Sequence, residues 1–546
     1  MLRKTRQWKD SMKKTLLIFL CVSLFTASVS LGRDKPLANE GNRGLYARSI
    51  EQVLRLNPEE VDLAIAALIV SEQWSNMVVG RKYLSQLDDM ALEIRARLKN
   101  AKLENSYKAI TVINKYLFDE LGFESVSTAS DPNDLFLHSV LDRKRGYCLS
   151  LSILYLSIGE RLGLPLYGVV VPGHFFVRYD DGRVRFNIET TSKGGYADDK
   201  HYIEKFKVPD EETQSIYMIN LSKIQTLGCF FNNLGNSYSD SGNTEQALMA
   251  LERAVNINPY LAESRTNLGN IYLRKEQVQE AIYQYQKALQ INPLDPKTHN
   301  NLGNAYMKQD RPNDAIFQYN HSLRLDPAFI DAYKNLASAY CTQGLFSYAV
   351  EQLKKAIILE PQNASLYNQL GDVYNQMGDY ELAILKYKKA LTIGKNSPES
   401  HYGLAICYNK LGLFDEEIRE YKEALNIKPD LLAALINLGN AYFAKQNYDT
   451  AIELYEKAAQ VSPREAAIHY NLGAAYSNKG NYERAVAEYL KEIQIEPDMS
   501  GAHNGLAFAF YKLKKYDLAA KHIKIADKLG ADIDPDLLAA IEDKLK

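Results

Sequence analysis

One spacing constrains this chain more than any other feature. Pro259, Pro293, Pro327, Pro361, Pro429, Pro463 and Pro497 stand on a 34-residue grid, with Lys395 in the vacant slot. The same grid carries Gly235, Gly269, Gly303, Gly371, Gly439 and Gly473, with Ala337, Ala405 and Ala507 among them. Ala247, Ala281, Ala315, Ala349, Ala383, Ala451, Ala485 and Ala519 form a third column, broken by Glu417. A fourth reads Tyr238, Tyr272, Tyr306, Tyr340, Tyr374, Tyr408, Tyr442 and Tyr476, closed by Phe510, and explains an excess of 37 tyrosines over 2 tryptophans. Columns that share one period require a stack of like units, because a single unit this short cannot bury its own apolar face.

Each unit reads as two helices. In Asn267-Leu268-Gly269-Asn270-Ile271-Tyr272, Leu268 and Tyr272 share a face and Gly269 sits where a partner helix must come close. Glu280 to Leu289 forms the second helix, and Pro293 stops it by lacking an N–H and clashing with helical continuation. The unit resembles the tetratricopeptide repeat (TPR) in period and in small/large signature. On these columns nine repeats run from about 228–261 to 500–533. Gly501, the lysines around Lys512–Lys515 and a polar helix from Asp536 to Lys546 suit a wetter C-terminal cap. Stacked helix pairs make a superhelix with a concave groove, suited to holding another polypeptide.

Asn233, Asn267, Asn301, Asn335, Asn437 and Asn471 occupy one column, and Asn236, Asn270, Asn304 and Asn440 the column three residues later. Helical residues three apart are surface neighbours, and an amide both donates and accepts. Two readings stand side by side: a ladder that binds an extended peptide backbone, or positions favoured in the repeat that satisfy groups between repeats. Cys341 and Cys407 lie in repeat helices and are expected to be small buried hydrophobes.

Composition sets outer limits. A chain of 546 residues has room for three or four domains at about 150 residues each. With 46% apolar and 24% charged residues it can build cores, and a net charge of −2 gives no global reason to expect nucleic acid. Five cysteines without paired spacing exclude a disulfide scaffold and suggest no metal site. At the N-terminus Arg3, Lys4, Arg6, Lys9, Lys13 and Lys14 precede an apolar run from Leu16 to Phe25, followed by Ala27, Ser28 and Ser30. Basic stretch, apolar core and small-residue exit are the parts of a secretory signal. The run falls short of the roughly 20 residues that span a bilayer, so cleavage is expected rather than a retained anchor. Export to the periplasm or medium follows, with membrane contact only if that segment stays.

Between 45 and 227 the pattern changes. Helices are expected over 45–56, 59–74, 81–99 and 105–120, then Asp131-Pro132-Asn133-Asp134 leads into Leu135–Leu141. The apolar helix Leu149–Leu162 follows Gly146-Tyr147-Cys148 and ends at Gly163-Leu164-Pro165. Leu166–Val171 reads as a strand, Pro172-Gly173 as a turn, and His174–Tyr179 as a second strand, joined through an Asp181-Gly182 hairpin to Val184–Glu189. Cys148 therefore stands at a helix start, where free N–H groups favour a thiolate. His174 stands at a strand mouth after a rigid turn, and Asn187 or Glu189, on one face of the next strand, can orient its ring. Nucleophile, base and orienter are the parts of thiol acyl transfer.

Leu141 to Leu156, Arg161 to Val169 and Val171 to Arg178 resemble the transglutaminase-like domain, of the papain-like superfamily, that bacteria fuse to TPR repeats. The resemblance covers about 45–200 and implies Cys148 as nucleophile and His174 as base. Glu189-Thr190-Thr191 stands where that family carries Asp-Pro-Thr, and Ser192-Lys193-Gly194-Gly195 where it has a glycine-bearing loop. Many relatives of this subgroup lack the cysteine, which this chain keeps. The expected architecture is an α+β papain-like domain with a helical lead-in, followed by an all-α TPR superhelix. The segments run 1–30 (signal or anchor), 31–105 (helical region), 106–227 (transglutaminase-like domain and connecting helix), 228–533 (repeats) and 534–546 (cap). The expected function is an exported, peptide-binding protein whose Cys-His domain hydrolyses protein or peptide amides without metal or cofactor. The alternative is a non-enzymatic TPR scaffold with a silent transglutaminase-like domain.

Overall fold

The protein is described from a computed structural model, which covers residues 39–40, 46–75, 80–104, 106–127, 131–208 and 217–545. The signal-like segment 1–30 lies outside the described residues. Among those residues no helix is long and apolar enough to cross a membrane. The chain forms two units, 1–309 and 310–546.

The first unit begins with a short antiparallel pair, β1 (Asn39–Glu40) and β2 (Tyr46–Ala47). The helix expected over 45–56 is only α1 (Ile50–Val53), because β2 claims the start of that stretch and Ser49 caps the helix that follows. The next helix starts later than expected. Pro58–Glu60 makes one 3-10 turn, and α2 (Leu63–Trp74) begins where Asp62 Oδ1 accepts from the Ile65 amide at 2.9 Å. Next come α3 (Gly80–Ala101) and α4 (Ala109–Asn114), the latter continued by a wider turn of helix over Lys115–Glu120. Then β3 (Glu124–Ser125), α5 (Leu137–Arg143) and β4 (Arg145–Gly146) follow, β3 pairing in parallel with β4.

The centre of the domain is α6 (Cys148–Leu162), with every residue from Cys148 to Gly159 buried. A helix that is apolar on all sides must be covered on all sides. One cover is an antiparallel sheet in the order β5 (Leu166–Val171), β6 (His174–Asp180), β7 (Arg185–Glu189) and β8 (Gly195–Ala197). The β6–β7 hairpin turns at Gly182, φ +80°, with Asp181 Oδ1 accepting from the Arg183 and Val184 amides. The edge strand β8 is not foreshadowed in the sequence reading. After it comes α7 (Asp199–Phe206).

Another cover comes from the first repeat. Leu227, Phe230, Phe231 and Leu234 of helix Lys223–Asp240 join the apolar cluster that contains α2, α6 and the sheet. Trp74 packs edge-on against Phe231 at 5.9 Å, Lys223 Nζ bonds the Val61 carbonyl at 2.6 Å and pairs with Glu160, and Tyr217 donates to Glu263 at 2.6 Å.

In both units the repeat helices follow the sequence grid, from the pair Lys223–Asp240 and Thr244–Ile257 to the pair Ser500–Lys512 and Tyr516–Lys528. The small-residue column makes room for a large side chain of the next helix, Leu251 at Gly235 and a tyrosine ring at Gly269, Gly371, Gly439 and Gly473. A Cβ on Gly269 would lie 2.6 Å from Tyr285 in the first unit. In the second, Tyr387 is clasped between Gly371 and Gly403, and Tyr489 between Gly473 and Gly505.

Two carboxyls break the small-residue rule inside the second unit. Glu417, in the alanine column, is 2% exposed and accepts from Asn409 at 3.0 Å. Glu492 is fully buried where other repeats place Ala356, Ala390, Ala424, Ala458 and Ala526, and neither carboxyl oxygen has a partner among the described residues. Burial, with Glu496 nearby, pushes its carboxyl up to about 7. A carboxyl raised in the folded state favours folding below its unfolded value near 4.5 and loses that contribution as pH rises through 7. Glu492→Ala is therefore expected to stabilise the second unit at pH 8 by about 1–3 kcal/mol, the cost of an unpartnered buried polar group. It should also flatten the loss of stability between pH 4.5 and 7. Denaturant unfolding at pH 5 and pH 8 measures both.

Candidate functional site

The site forms where α6 starts against the sheet. Tyr147 is the residue before the helix, its amide donating to Ser150 Oγ at 2.9 Å while Ser150 donates to the Asp134 carbonyl at 2.8 Å. This closes the helix start and sets Cys148 as its first residue. Thr190 Oγ1 meets Ser152 Oγ at 3.0 Å and donates to the Cys148 carbonyl at 3.4 Å, tying that first turn to the end of β7. Gly173, at φ +72°, completes the turn that delivers His174 to the head of β6.

The structure brings Cys148, His174 and Glu189 together. His174 Nε2 lies 2.7 Å from Glu189 Oε2, and Cys148 is the other neighbour that favours the charged form of the ring. Burial alone would lower the imidazolium; its neighbours Cys148 and Glu189 outweigh that and raise it to about 9. Burial alone would raise the Glu189 carboxyl; the bonds from His174 and Thr191 outweigh it and hold the group down at about 2. Glu189 Oε1 accepts from the Thr191 amide at 3.0 Å and from Thr191 Oγ1 at 2.5 Å. Cys148 is 4% exposed, and the side chains of His174 and Glu189 are 14% exposed each.

Asn187, the other orienter considered, is spent elsewhere. It shares the strand face of Glu189 but accepts from Arg178 Nε at 2.7 Å and donates to Asp199 Oδ1 at 2.6 Å. Arg178 lies directly across the sheet from it and is fully buried, so the amide answers a buried guanidinium instead of the imidazole.

Several contributors escaped the sequence reading. Burial, with Cys148 as its neighbour, pushes the Tyr147 phenol up to about 12. Tyr202 donates to Glu189 Oε2 at 3.1 Å, and Phe206 stacks on the His174 ring at 4.8 Å and 2°. Asp198 before a short amphipathic run, with aromatics four apart, was the available signal for their helix. The glycine-bearing loop has a concrete role. Gly194 has φ +75° and a Cβ there would lie 2.2 Å from Asn114, whose Nδ2 donates to the Gly194 carbonyl at 2.8 Å while Tyr155 holds its Oδ1 at 2.7 Å.

In the repeats, the asparagine columns bond to one another and to the tyrosine rings. Asn270 Oδ1 accepts from Tyr285 at 2.8 Å and from Asn301 Nδ2 at 2.9 Å, and Asn267 donates to Asn232 at 3.0 Å. In the second unit Asn440 accepts from Tyr455 at 2.7 Å and from Asn471 at 3.4 Å, and Asn437 donates to Tyr402 at 3.2 Å. Asn233, Asn236, Asn304 and Asn335 are half-buried on the same helix faces. The second of the two readings, satisfaction between repeats, thus accounts for many of these oxygens. The described cysteines Cys148, Cys229, Cys341 and Cys407 are all free, and burial pushes the Cys407 thiol up to about 12.

Comparison with known proteins agrees with this architecture. The transglutaminase-like superfamily matches residues 81–217. Tetratricopeptide repeats match 235–276, 269–310, 338–378, 371–412 and 439–480, together with 296–329, 398–431 and 466–499. The chain carries a transglutaminase-like superfamily domain followed by a C-terminal TPR region. A UPF0162 protein of Xylella fastidiosa is 28% identical over 164 residues, 28% of this chain and 58% of that protein. Mouse F-box only protein 21 is 34% identical over 82 residues, 15% of this chain and 13% of that protein. The chain thus spans less than two thirds of the length of either relative. Among solved structures, the MamA protein is 30% identical with a TM-score of 0.28, covering 31% of this chain and 92% of that one.

The pH behaviour of the pair has a defined sign. The raised His174 contributes stability in full below its ordinary 6.5 and loses it as pH climbs to about 9. The lowered Glu189 contributes in full above its ordinary 4.5 and loses it as pH falls to about 2. Replacing Glu189→Gln is expected to bring the His174 titration midpoint down from about 9. Imidazole NMR titration of the full chain against a His174→Gln control reads that shift.

Proposed function

We propose that this chain is a protein-binding scaffold whose TPR region takes an extended polypeptide, in an exported protein. The observation that carries this reading is the TPR grid itself, with half-buried amides such as Asn236 along one helix face. Export rests on the basic-apolar-small order of residues 3–30. Peptides selected by display against the full chain are expected to bind with Kd values of about 1–100 μM. Asn236→Ala should weaken them roughly tenfold, about 1.4 kcal/mol, at unchanged melting temperature. A display that yields no peptide bound more tightly than about 1 mM overturns the reading.

A second reading is favoured by one specific geometry, the 2.7 Å contact of His174 with Glu189 beside a thiol at a helix start. Here Cys148 is the nucleophile of an amide hydrolase acting on a glutamine side chain, a peptide bond or a related amide. The thiolate attacks the carbonyl carbon, the carbonyl π pair moves to oxygen, and the N–H groups near 148 and 149 hold the oxyanion. The His174 imidazolium gives its proton to the amine as the C–N bond breaks. Water, deprotonated by His174, then attacks the thioester carbon, and the C–S bond breaks to restore the thiolate. Glu189 keeps the ring in register throughout. On this reading Cys148 of the full chain reacts with iodoacetamide at pH 5.5 roughly tenfold faster than a simple model thiol. Cys148→Ala removes the signal. Equal rates for Cys148 and the model thiol leave the scaffold with a silent domain.

A further inference from the structure

The fully buried Arg178 and Asn187 look wasted beside the thiol site until the helix that follows the sheet is considered. Asp199 Oδ1, at the first residue of α7, accepts from Arg178 Nη2 at 2.7 Å and from Asn187 Nδ2 at 2.6 Å. Asp198 caps the helix, its Oδ1 taking the His201 amide at 2.8 Å. One end of α7 is therefore bolted to β6 and β7. The rest of the helix reaches back along the sheet to the imidazole. Tyr202 stacks on Phe176 at 3.8 Å and donates to Glu189 Oε2, the same oxygen that faces His174 Nε2. One turn later, Phe206 lies parallel to the His174 ring at 4.8 Å.

We propose that α7 is the positioning element of the Cys148–His174–Glu189 site, with Phe206 plating the imidazole, Tyr202 fixing the carboxylate, and Arg178 and Asn187 holding the helix in place. This rests on the second reading above. The reasoning is geometric. A ring tethered at Nε2 alone can still tilt about that bond, and a parallel aromatic plate removes the tilt. The face of a benzene ring is also electron-rich and favours a cationic neighbour, so Phe206 supports the imidazolium beside the thiolate. Tyr202 occupies Glu189 Oε2 from one side and leaves the other for His174, as outer partners do for ligands in many active sites. Asn187 then serves the site through α7 rather than by touching the ring. The titratable and charged groups about His174 are Glu189 from β7, Cys148 and Tyr147 at the α6 start, and Tyr202 from α7. Lys205 Nζ stands 5.3 Å from the Phe206 centroid.

The test is the pH profile of Cys148 alkylation by iodoacetamide in the full chain. Peptide mapping separates Cys148 from Cys21, Cys229, Cys341 and Cys407. The parent protein should react well into the acid range. Phe206→Leu and Tyr202→Phe should each move the acid edge upward and slow the reaction at pH 5.5 by roughly threefold to tenfold. Above pH 9.5 the rates should stay within about twofold of the parent, because the thiol is then ionised without help. Phe206→Tyr, which keeps the plate, should restore the parental edge. An ordinary thiol profile in the parent sinks the underlying hydrolase reading. An acid-reactive parent with unchanged variants leaves that reading standing and overturns the role of α7. Should Phe206→Leu lower the melting temperature or expose Cys229, Tyr202→Phe decides alone: a shifted edge supports the role, and an unshifted one refutes it.

Discussion

The fold of the first unit depends on one requirement: the helix from Cys148 to Leu162 has no face that tolerates water. Twelve consecutive buried positions, Cys148 to Gly159, need cover on every side. The lead-in helices, the four-stranded sheet and the first repeat helix each supply part of it. Because the helix is surrounded, its start is fixed in three dimensions, and a thiol placed there is fixed with it. The same enclosure explains why the neighbouring carboxylate and imidazole depart from their ordinary titration, since shielding from solvent magnifies every interaction between them.

The repeats rest on a different economy. A tyrosine ring from the second helix of a pair fills the notch that a glycine leaves in the first, and in the second unit the next repeat closes over the same ring. The hydroxyl at the far end of that ring needs an acceptor, and Asn270, Asp372 and Asn440 provide it. In those three repeats one side chain thereby settles both packing and hydrogen bonding. The amide columns read in the sequence are in part the polar half of that arrangement, so their periodicity alone does not identify a ligand-binding surface.

Legibility in the sequence followed the range of the interactions. The repeats were visible because each column recurs and a local rule, small against large, is restated every 34 residues. The thiol, the imidazole and the strands that hold them were visible because helix start, Pro-Gly turn and hairpin are signals written within a few residues. Glu189 and Asn187 could not be separated, since both sit on one strand face and only the long-range partner Arg178 distinguishes them. Tyr147, Tyr202 and Phe206 were missed because an aromatic on a short helix carries no local mark of what it stacks against. The helix boundaries at 50 and 63 were misplaced for the same reason on a smaller scale, with Ser49 and Asp62 making the actual caps.

Trp74 lodged against Phe231 and Lys223 bound to the Val61 carbonyl mean that the first repeat packs directly on the α+β domain. The thiol-bearing helix and the first repeat therefore share one apolar core and move as one body, as a vice is bolted to its bench.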